Sequence, residues 1–570
     1  MASAQRPEVD ALRARPRADV LIVGGGINGI ATFRDLALQG VDVVLVERGD
    51  FVCGASSASS HMVHGGIRYL ENGEFRLVKE AVQERNRLLR LAPHYVRPLE
   101  TTIPIFTTFS GILAAPFRLL VTHGRGRPRE RGALLITAGL LIYDLFSRDG
   151  GSVPRHRLRS RARSLQELPH LNPRIRCTAT YYDASMRDPE RLALDVLHDG
   201  VAAGAGRARA VNYVAAVGAD DDAGTVRLRD DLTGEEFDVS ARVVVNASGP
   251  WTDLTNAALG APTRFMGGTK GSHIVLDHPE LLAATGGREL FFEHSDGRIV
   301  LIYPLAGRVL VGTTDVDADP RDHIVCTDDE VDYFFDLVRH VFPAIEVDAS
   351  HIVYAFAGIR PLPRHDDTAP GFVSRDYRIE HARRGRLEVL SLVGGKWTTF
   401  RALAEHLSTR ALEVIGLGHR VSTAGLAIGG GRGFPRTARA RREWVLAHAH
   451  GHEPAVAASL LERYGTRAAE VLAAIPVGAA ELDAVPGYFA AEIAHLVASE
   501  QVVHLSDLVL RRTSIAFCGG VTERMLRQLA DAAADAASWD DERVQWEVAD
   551  TIEVLRRDHR VEMEHSWQST

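Results

Sequence analysis

Three glycines at G-x-G-x-x-G spacing, Gly24, Gly26 and Gly29, precede an acid, Glu47, about twenty residues further on. Such a set can hold a dinucleotide largely through the backbone. The first glycine permits a tight turn, the second lets the chain approach a pyrophosphate, and the third brings the next helix close to its strand. The acid can accept hydrogen bonds from a ribose, and Asn28 lies inside the motif. A second glycine pair, Gly394 and Gly395, opens Lys396-Trp397-Thr398-Thr399. A helix N-terminus there would suit a group with partial negative charge, such as the pyrimidine end of a reduced flavin. The first motif leaves FAD and NAD both open; the second favours FAD. Between them lies a serine- and glycine-rich loop with Ser56, Ser57, His64, Gly65 and Gly66, followed by Arg68 and Tyr69. Its donors would suit phosphates or a flavin edge.

The elements that must position these groups follow from the apolar pattern. Residues 20–23 read as a buried parallel strand, 27–39 as the helix that aims its free N–H groups at phosphate, and 43–46 as a second strand. Helices are expected at 75–91 and 188–203, and strand-like runs at 208–217 and 225–229. Residues 241–247 form a third buried strand, which ends on Ala247-Ser248-Gly249-Pro250-Trp251 where a ligand would face it. Residues 390–393 are a further strand. From 265 to 363 the polarity alternates as in antiparallel strands, with a hairpin at 298–303 and 308–313. This region carries Lys270-Gly271-Ser272-His273, Gly312-Thr313-Thr314-Asp315 and Gly358-Ile359-Arg360, polar groups between apolar strand residues as on a substrate-facing sheet. Taken alone, a histidine such as His273 is more often structural than catalytic. Residues 429–435 read as a glycine-rich linker and 436–559 as mostly helical.

The chain has 570 residues, too many for one core, and its 45% hydrophobic and 25% charged content is that of an ordinary globular protein. A net charge of -8 argues against a general nucleic-acid binder. Cys53, Cys177, Cys326 and Cys518 form no CxxC pair, so neither a metal site nor a disulfide framework is expected. The apolar run at 133–146 is too short to span a membrane. It lies near Arg118, Arg125, Arg127, Arg129, Arg131 and the later Arg155, Arg157, Arg159, Arg161 and Arg163. A segment of that kind could rest on an anionic lipid surface, or be a buried helix beside a solvated loop.

The ordered set GGGING at 24–29, SSASSHMVHGGIRYLENGEFRLV at 56–78, NASGPW at 246–251, KGSHIV at 270–275, GTTD at 312–315, GIRPL at 358–362 and GGKWTTFR at 394–401 resembles FAD-dependent, quinone-linked glycerol-3-phosphate dehydrogenases. The resemblance implies an α/β fold: a Rossmann-like FAD-binding domain of the glutathione-reductase/D-amino-acid-oxidase type, an antiparallel-sheet substrate domain and a C-terminal α-helical domain. The expected division is a disordered tail at 1–17, an FAD-binding domain at 18–100, 188–260 and 370–415, a substrate domain at 101–187 and 261–369, and a helical domain at 430–570. It further implies oxidation of sn-glycerol 3-phosphate to dihydroxyacetone phosphate, electrons passing to a membrane quinone, and a cytoplasmic enzyme held peripherally on the inner face of the cell membrane; a homodimer is compatible with it. By resemblance His273 and Arg360 serve the substrate hydroxyl, while Arg68, Tyr69, Arg375 and Lys396 bind the substrate phosphate. FAD is expected on Gly24, Gly26, Asn28, Gly29, Glu47, Ser56, Ser57, His64, Gly65, Gly66, Ala247, Gly249, Trp251, Thr313, Asp315, Gly395, Lys396 and Thr398. His61-Met62 and Trp397 depart from the family pattern. Two alternatives stand beside this reading: an oxidase that passes electrons to oxygen, and a flavin-binding scaffold or redox sensor whose helical tail binds a partner.

Overall fold

The computed structural model describes residues 6–66, 75–106, 140–141, 143–144, 154–294, 298–364 and 376–563. Arg68, Tyr69 and Arg375, the expected phosphate cations and their tyrosine, lie outside these residues, as does most of 133–146.

The strands Arg17–Val23, Val43–Val46, Glu236–Asn246 and Leu387–Val393 pair in parallel. Ala208–Val211 extends the sheet at one edge and the antiparallel strand Arg378–Arg384 at the other. Continuous runs such as Val43–Val46 are buried throughout because both faces of the sheet are covered. On one face the helices Ile27–Leu38, Pro189–Gly204 and Phe400–Val414 bury Ile30, Phe33, Leu192, Leu403 and Leu407 against Val20, Ile22, Val243 and Val245. On the other, Val214, Val226, Leu228 and Val239 cover Leu21, Val44 and Val244. The expected disordered tail is corrected from Arg6 onward. Pro7–Ala14 is a helix whose Val9 and Leu12 are buried on that second face, and Arg6 is tied to Asp230 at 3.0 Å. Two apolar residues three apart give too short a periodicity to read, and tertiary packing supplies the order.

A second sheet runs Val316–Asp317, Met266–Leu276, Arg308–Gly312, Ile299–Leu305, Glu289–Glu293, Val96–Ile105, Cys177–Met186, Met62–Val63. Ile352–Pro363 pairs along Met266–Leu276. The expected hairpin is present as Ile299–Leu305 and Arg308–Gly312. Met62–Val63 and Val96–Ile105 already belong to this sheet, so the chain crosses over before residue 100. The helix Asp328–Val341 packs Phe334, Leu337 and Val338 on one face against Ile274, Ile302 and Val311.

The C-terminal helices, among them Pro454–Tyr464, Ala490–Ser499, Glu523–Ala537 and Asp541–His559, share a core with Val275, Tyr303, Tyr354 and Phe356 and so cover the other face of the second sheet. Within the stretch 429–435, expected as a glycine-rich linker, the glycines at 429–431 are closely packed. A Cβ on Gly430 would lie 1.9 Å from Tyr464 O, and one on Gly431 2.1 Å from Leu91 O.

Candidate active site

The first motif forms a cradle that side chains would fill. A Cβ on Gly29 would lie 2.0 Å from Gly24 O, so only glycine lets the helix Ile27–Leu38 begin there. Gly24 has φ of 115°, and a Cβ on it would lie 2.7 Å from Ala247 O, which ties the end of Glu236–Asn246 to the turn. Gly26 faces Ser56, whose Oγ accepts the Ile27 N–H at 3.0 Å. Glu47 accepts from Gly25 N–H at 2.7 Å and Gly49 N–H at 3.0 Å. Burial raises its carboxyl, and those two N–H groups act against the rise. Asn28 keeps a buried Oδ1 with no hydrogen-bond partner among the described residues. A Cβ on Gly395 would meet Asn28 Nδ2 at 2.5 Å, so the second glycine pair closes on the start of the first helix. A close backbone approach, free helix N–H groups and an acid beyond the second strand fit a dinucleotide such as FAD.

Residues 53–66 form the seam between this crevice and the second sheet. Trp397 Nε1 donates to Ser56 O at 2.9 Å and Thr398 Oγ1 to His64 O at 3.2 Å, joining the seam to the second glycine turn. Ala58 packs so closely on Gly358 that a Cβ there would be 2.3 Å away. Gly65 serves packing: its N–H donates to Asp183 at 2.9 Å, and a Cβ would strike Tyr143. Gly66, with φ of 72°, continues that turn. Ser57 Oγ donates to Gly54 O at 3.0 Å and closes a local turn.

Strand alternation sorts the polar residues of Met266–Leu276 onto two faces. Lys270 and Ser272 point one way and meet Glu330, at 2.8 and 2.9 Å. Thr269, Gly271 and His273 point the other, opposite Arg360, Gly358 and Phe356. His273 is buried, stacks on Phe356 with centroids 4.8 Å apart, and shares a hydrogen bond between Nε2 and Ser60 Oγ at 2.8 Å. Its Nδ1 has no hydrogen-bond partner among the described residues. Gly312 stands opposite because a Cβ would lie 2.1 Å from the imidazole. Burial first, then the Arg360 guanidinium and, least, the neighbouring His61 push His273 well below the ordinary histidine range, so the ring is neutral at pH 7.

Arg360 lies across Gly271, where a Cβ would come within 2.2 Å of its Nη2. Nη1 donates to Asp315 at 2.9 Å, and Nη2 donates to Thr313 Oγ1 at 2.9 Å and to Thr314 O at 2.8 Å. Thr313 and Asp315, expected on the cofactor, therefore hold the arginine. Trp251, also expected there, donates its indole N–H to Pro320 O at 2.9 Å and packs under Arg48. Gly249 forms a positive-φ turn beside it. Lys396 precedes the short turn Trp397–Thr399, and its charge opposes the rise that burial imposes on Glu80. The sequence reading missed Ser60 and Phe356; the serine run around Ser60 was a signal, while Phe356 carries none without strand register.

Residues 19–409 match the FAD dependent oxidoreductase family, and residues 421–544 match the C-terminal domain of alpha-glycerophosphate oxidase. The glycerol-3-phosphate dehydrogenase of Synechocystis sp. is 33% identical over 525 residues, covering 87% of this chain and 89% of that one. The D-erythritol 1-phosphate dehydrogenase of Brucella abortus is 31% identical over 516 residues, covering 87% and 94%. The structure of glycerol-3-phosphate dehydrogenase from Bacillus halodurans complexed with FAD has a TM-score of 0.73 over 97% of this chain and 98% of that chain at 23% identity, a likeness of fold. With a nucleotide cradle that fits FAD and relatives matched along nearly their whole length, the chain belongs to the family of FAD-dependent glycerol-3-phosphate dehydrogenases.

Proposed function

We propose that this enzyme oxidises sn-glycerol 3-phosphate to dihydroxyacetone phosphate and hands the electrons to a membrane quinone. The observation that carries the chemistry is the pairing, on one face of two neighbouring strands, of a neutral, buried His273 with a fixed cation, Arg360, beside the seam to the nucleotide crevice. FAD, when bound, supplies the acceptor for the hydride that leaves C2. The C2 hydroxyl must give up its proton in the same event, and a neutral imidazole can take it at Nε2, where Ser60 Oγ now sits. Arg360, held by Asp315, Thr313 and Thr314, stabilises the oxygen as it gains negative charge. The substrate phosphate is assigned to Lys396 together with Arg68, Tyr69 and Arg375. Guanidinium groups suit it because they can grip phosphate through two N–H bonds at once.

The quinone reading draws on an exposed, cationic edge. Arg157–Ser160 pairs only along Cys177–Met186 among the described strands, and Arg155, Arg157, Leu158, Arg161 and Arg163 are exposed on and beside it. No helix among the described residues is long and apolar enough to cross a membrane. A basic edge with an exposed leucine suits an anionic lipid surface. Co-sedimentation with anionic vesicles should therefore weaken as salt rises; binding that ignores salt would remove this part of the reading.

Anaerobic addition of sn-glycerol 3-phosphate should bleach the flavin, whereas glycerol without the phosphate should not. A flavin that bleaches only with D-erythritol 1-phosphate would move the substrate to the longer polyol named for one relative. The match of 421–544 to an oxidase's C-terminal domain favours a second reading, oxygen as acceptor. Stoichiometric hydrogen peroxide during turnover would establish it, and turnover that requires added quinone would exclude it.

A further inference from the structure

The C-terminal helices reach the nucleotide crevice through one buried carboxylate. Asp50 lies on the segment that follows Glu47, and both ends of that segment return to the first motif. Glu47 receives the Gly25 N–H, and Val52 N–H donates to Gly25 O at 3.0 Å. Val52 has φ of 67°, a left-handed conformation that a β-branched residue keeps only where its surroundings enforce it. Between these ends Asp50 turns outward into the helical domain. Its carboxylate is buried and accepts from Arg512 Nη2 at 2.8 Å, from Arg512 Nη1, from Arg511 Nε and from Asn212 Nδ2 at 3.0 Å.

Arg511 and Arg512 are adjacent on the π-helical turn Leu508–Arg512. Neighbours on an α-helix point about 100° apart, yet here both guanidiniums converge on one acid. Each is fixed from behind. Arg511 Nη2 donates to Asp507 Oδ1 at 2.6 Å, which also accepts from Tyr213 OH at 2.7 Å. Arg512 Nη2 donates to Glu500 O at 2.8 Å. Tyr213 N–H donates to Gly49 O at 2.9 Å, so the same cluster holds the residue before Asp50. Burial alone would raise the Asp50 carboxyl; Arg512 and Arg511 override it and keep the acid ionised.

We propose that Arg511 and Arg512 make the helical domain a clamp on the nucleotide loop. By holding Asp50 they keep Glu47 and the Gly25 N–H in register for the adenosine ribose of FAD, and FAD retention depends on helices remote from the redox chemistry. Arg511 and Arg512 are positioning residues in this scheme. Linkage requires the converse as well: bound FAD must tighten the docking of the π turn.

The test is FAD binding to the full-length apoprotein, read by quenching of flavin fluorescence, with no substrate present. Its failure is therefore separate from failure of the substrate assignment. Asp50→Asn and Arg511→Gln should each raise the FAD Kd about tenfold, within the roughly 5- to 150-fold range of coupled sites. Arg511→Gln is the variant gentler on the fold, since Arg512 still holds Asp50. Tyr464→Phe removes a buried 2.6 Å hydrogen bond to Glu492 inside the helical domain and should leave the Kd unchanged. Hydrogen exchange gives the converse: FAD should slow exchange at residues 508–513 in the wild-type protein and not in Asp50→Asn. An unchanged Kd in both clamp variants, an equal rise in Tyr464→Phe, or FAD-independent exchange at the π turn in the wild-type protein would overturn the proposal.

Discussion

At the nucleotide crevice the working groups belong mostly to the backbone: N–H groups at the start of Ile27–Leu38, and the Gly25 and Gly49 N–H groups gathered by Glu47. On the face of the second sheet they are side chains, His273, Ser60 and Arg360, with Thr313 and Asp315 fixing the last. The first arrangement is specified by what is missing, a Cβ at Gly24, Gly26 and Gly29. The second is specified by what strand pairing brings together from four distant segments. A backbone site fails when atoms are added; a side-chain site fails when they are removed.

The largest effect should come from adding one methyl group at the crevice. Gly29→Ala places a Cβ 2.0 Å from Gly24 O, and neither backbone can yield without moving the helix or its strand. A cost of about 3 kcal/mol or more is expected, read as protein that purifies colourless or with a sharply lowered Tm. A yellow, stable Gly29→Ala protein would break the contrast. Removal at the other site comes next. His273→Ala should keep FAD while the rate of flavin reduction by substrate falls roughly a hundredfold or more, the range of a lost general base. A drop in FAD content equal to the drop in rate would show that the two sites are not separable.

The pH dependence sharpens the same contrast. His273 must be neutral to accept a proton, and burial, Arg360 and His61 hold its pKa well below 6.5. The reduction rate at saturating substrate should thus stay level as pH falls through the ordinary histidine range and decline only below it. In Arg360→Gln, which removes one opposing charge, the acid limb should move up toward neutrality. The substrate phosphate titrates near pH 6 in both proteins, so the displacement between them is the quantity to measure. Identical acid limbs would show that the arginine charge is not felt at the imidazole.

The smallest effect concerns stability. Burial raises the Glu289 carboxyl from 4.5 to about 8, with Thr101 donating to it at 2.7 Å. The folded state thus holds this proton more tightly than the unfolded chain. Its contribution to stability is full below about 4.5 and declines as pH rises toward 8, by up to about 1.4 kcal/mol per unit. Glu289→Gln removes the titration, so its Tm should fall less than the wild-type Tm between about pH 5 and about pH 8. Parallel curves would show that Glu289 does not carry its proton into the neutral range.

The crevice was legible in the sequence because its physics is local: strand, three glycines, helix, strand and Glu47 lie within one stretch. The strand face was legible only as separate motifs. GTTD reads as a glycine turn with hydroxyls, and nothing in it announces that Thr313 and Asp315 grip an arginine some 45 residues away, a partnership that exists only through register. Gly65 was expected on the cofactor, and the close neighbour the structure gives it is Tyr143, which no spacing rule could supply. The helix Pro7–Ala14 was invisible for a related reason, since its two buried residues have meaning only against the sheet they cover. A helix such as Glu523–Ala537 falls within the stretch read as mostly helical, whereas the break between Ser499 and Leu505, and the π turn Leu508–Arg512 that meets Asp50, left no mark in the spacing.

The most direct test of the division between backbone-held cofactor and side-chain chemistry is a paired measurement on Arg360→Gln: the FAD Kd of the apoprotein, and the anaerobic rate of flavin reduction by sn-glycerol 3-phosphate. The account predicts an unchanged Kd with a rate lowered by about 2 to 5 kcal/mol of lost transition-state stabilisation. A rate within about tenfold of wild type, roughly 1.4 kcal/mol, or a loss of FAD affinity that explains the whole defect, would contradict it.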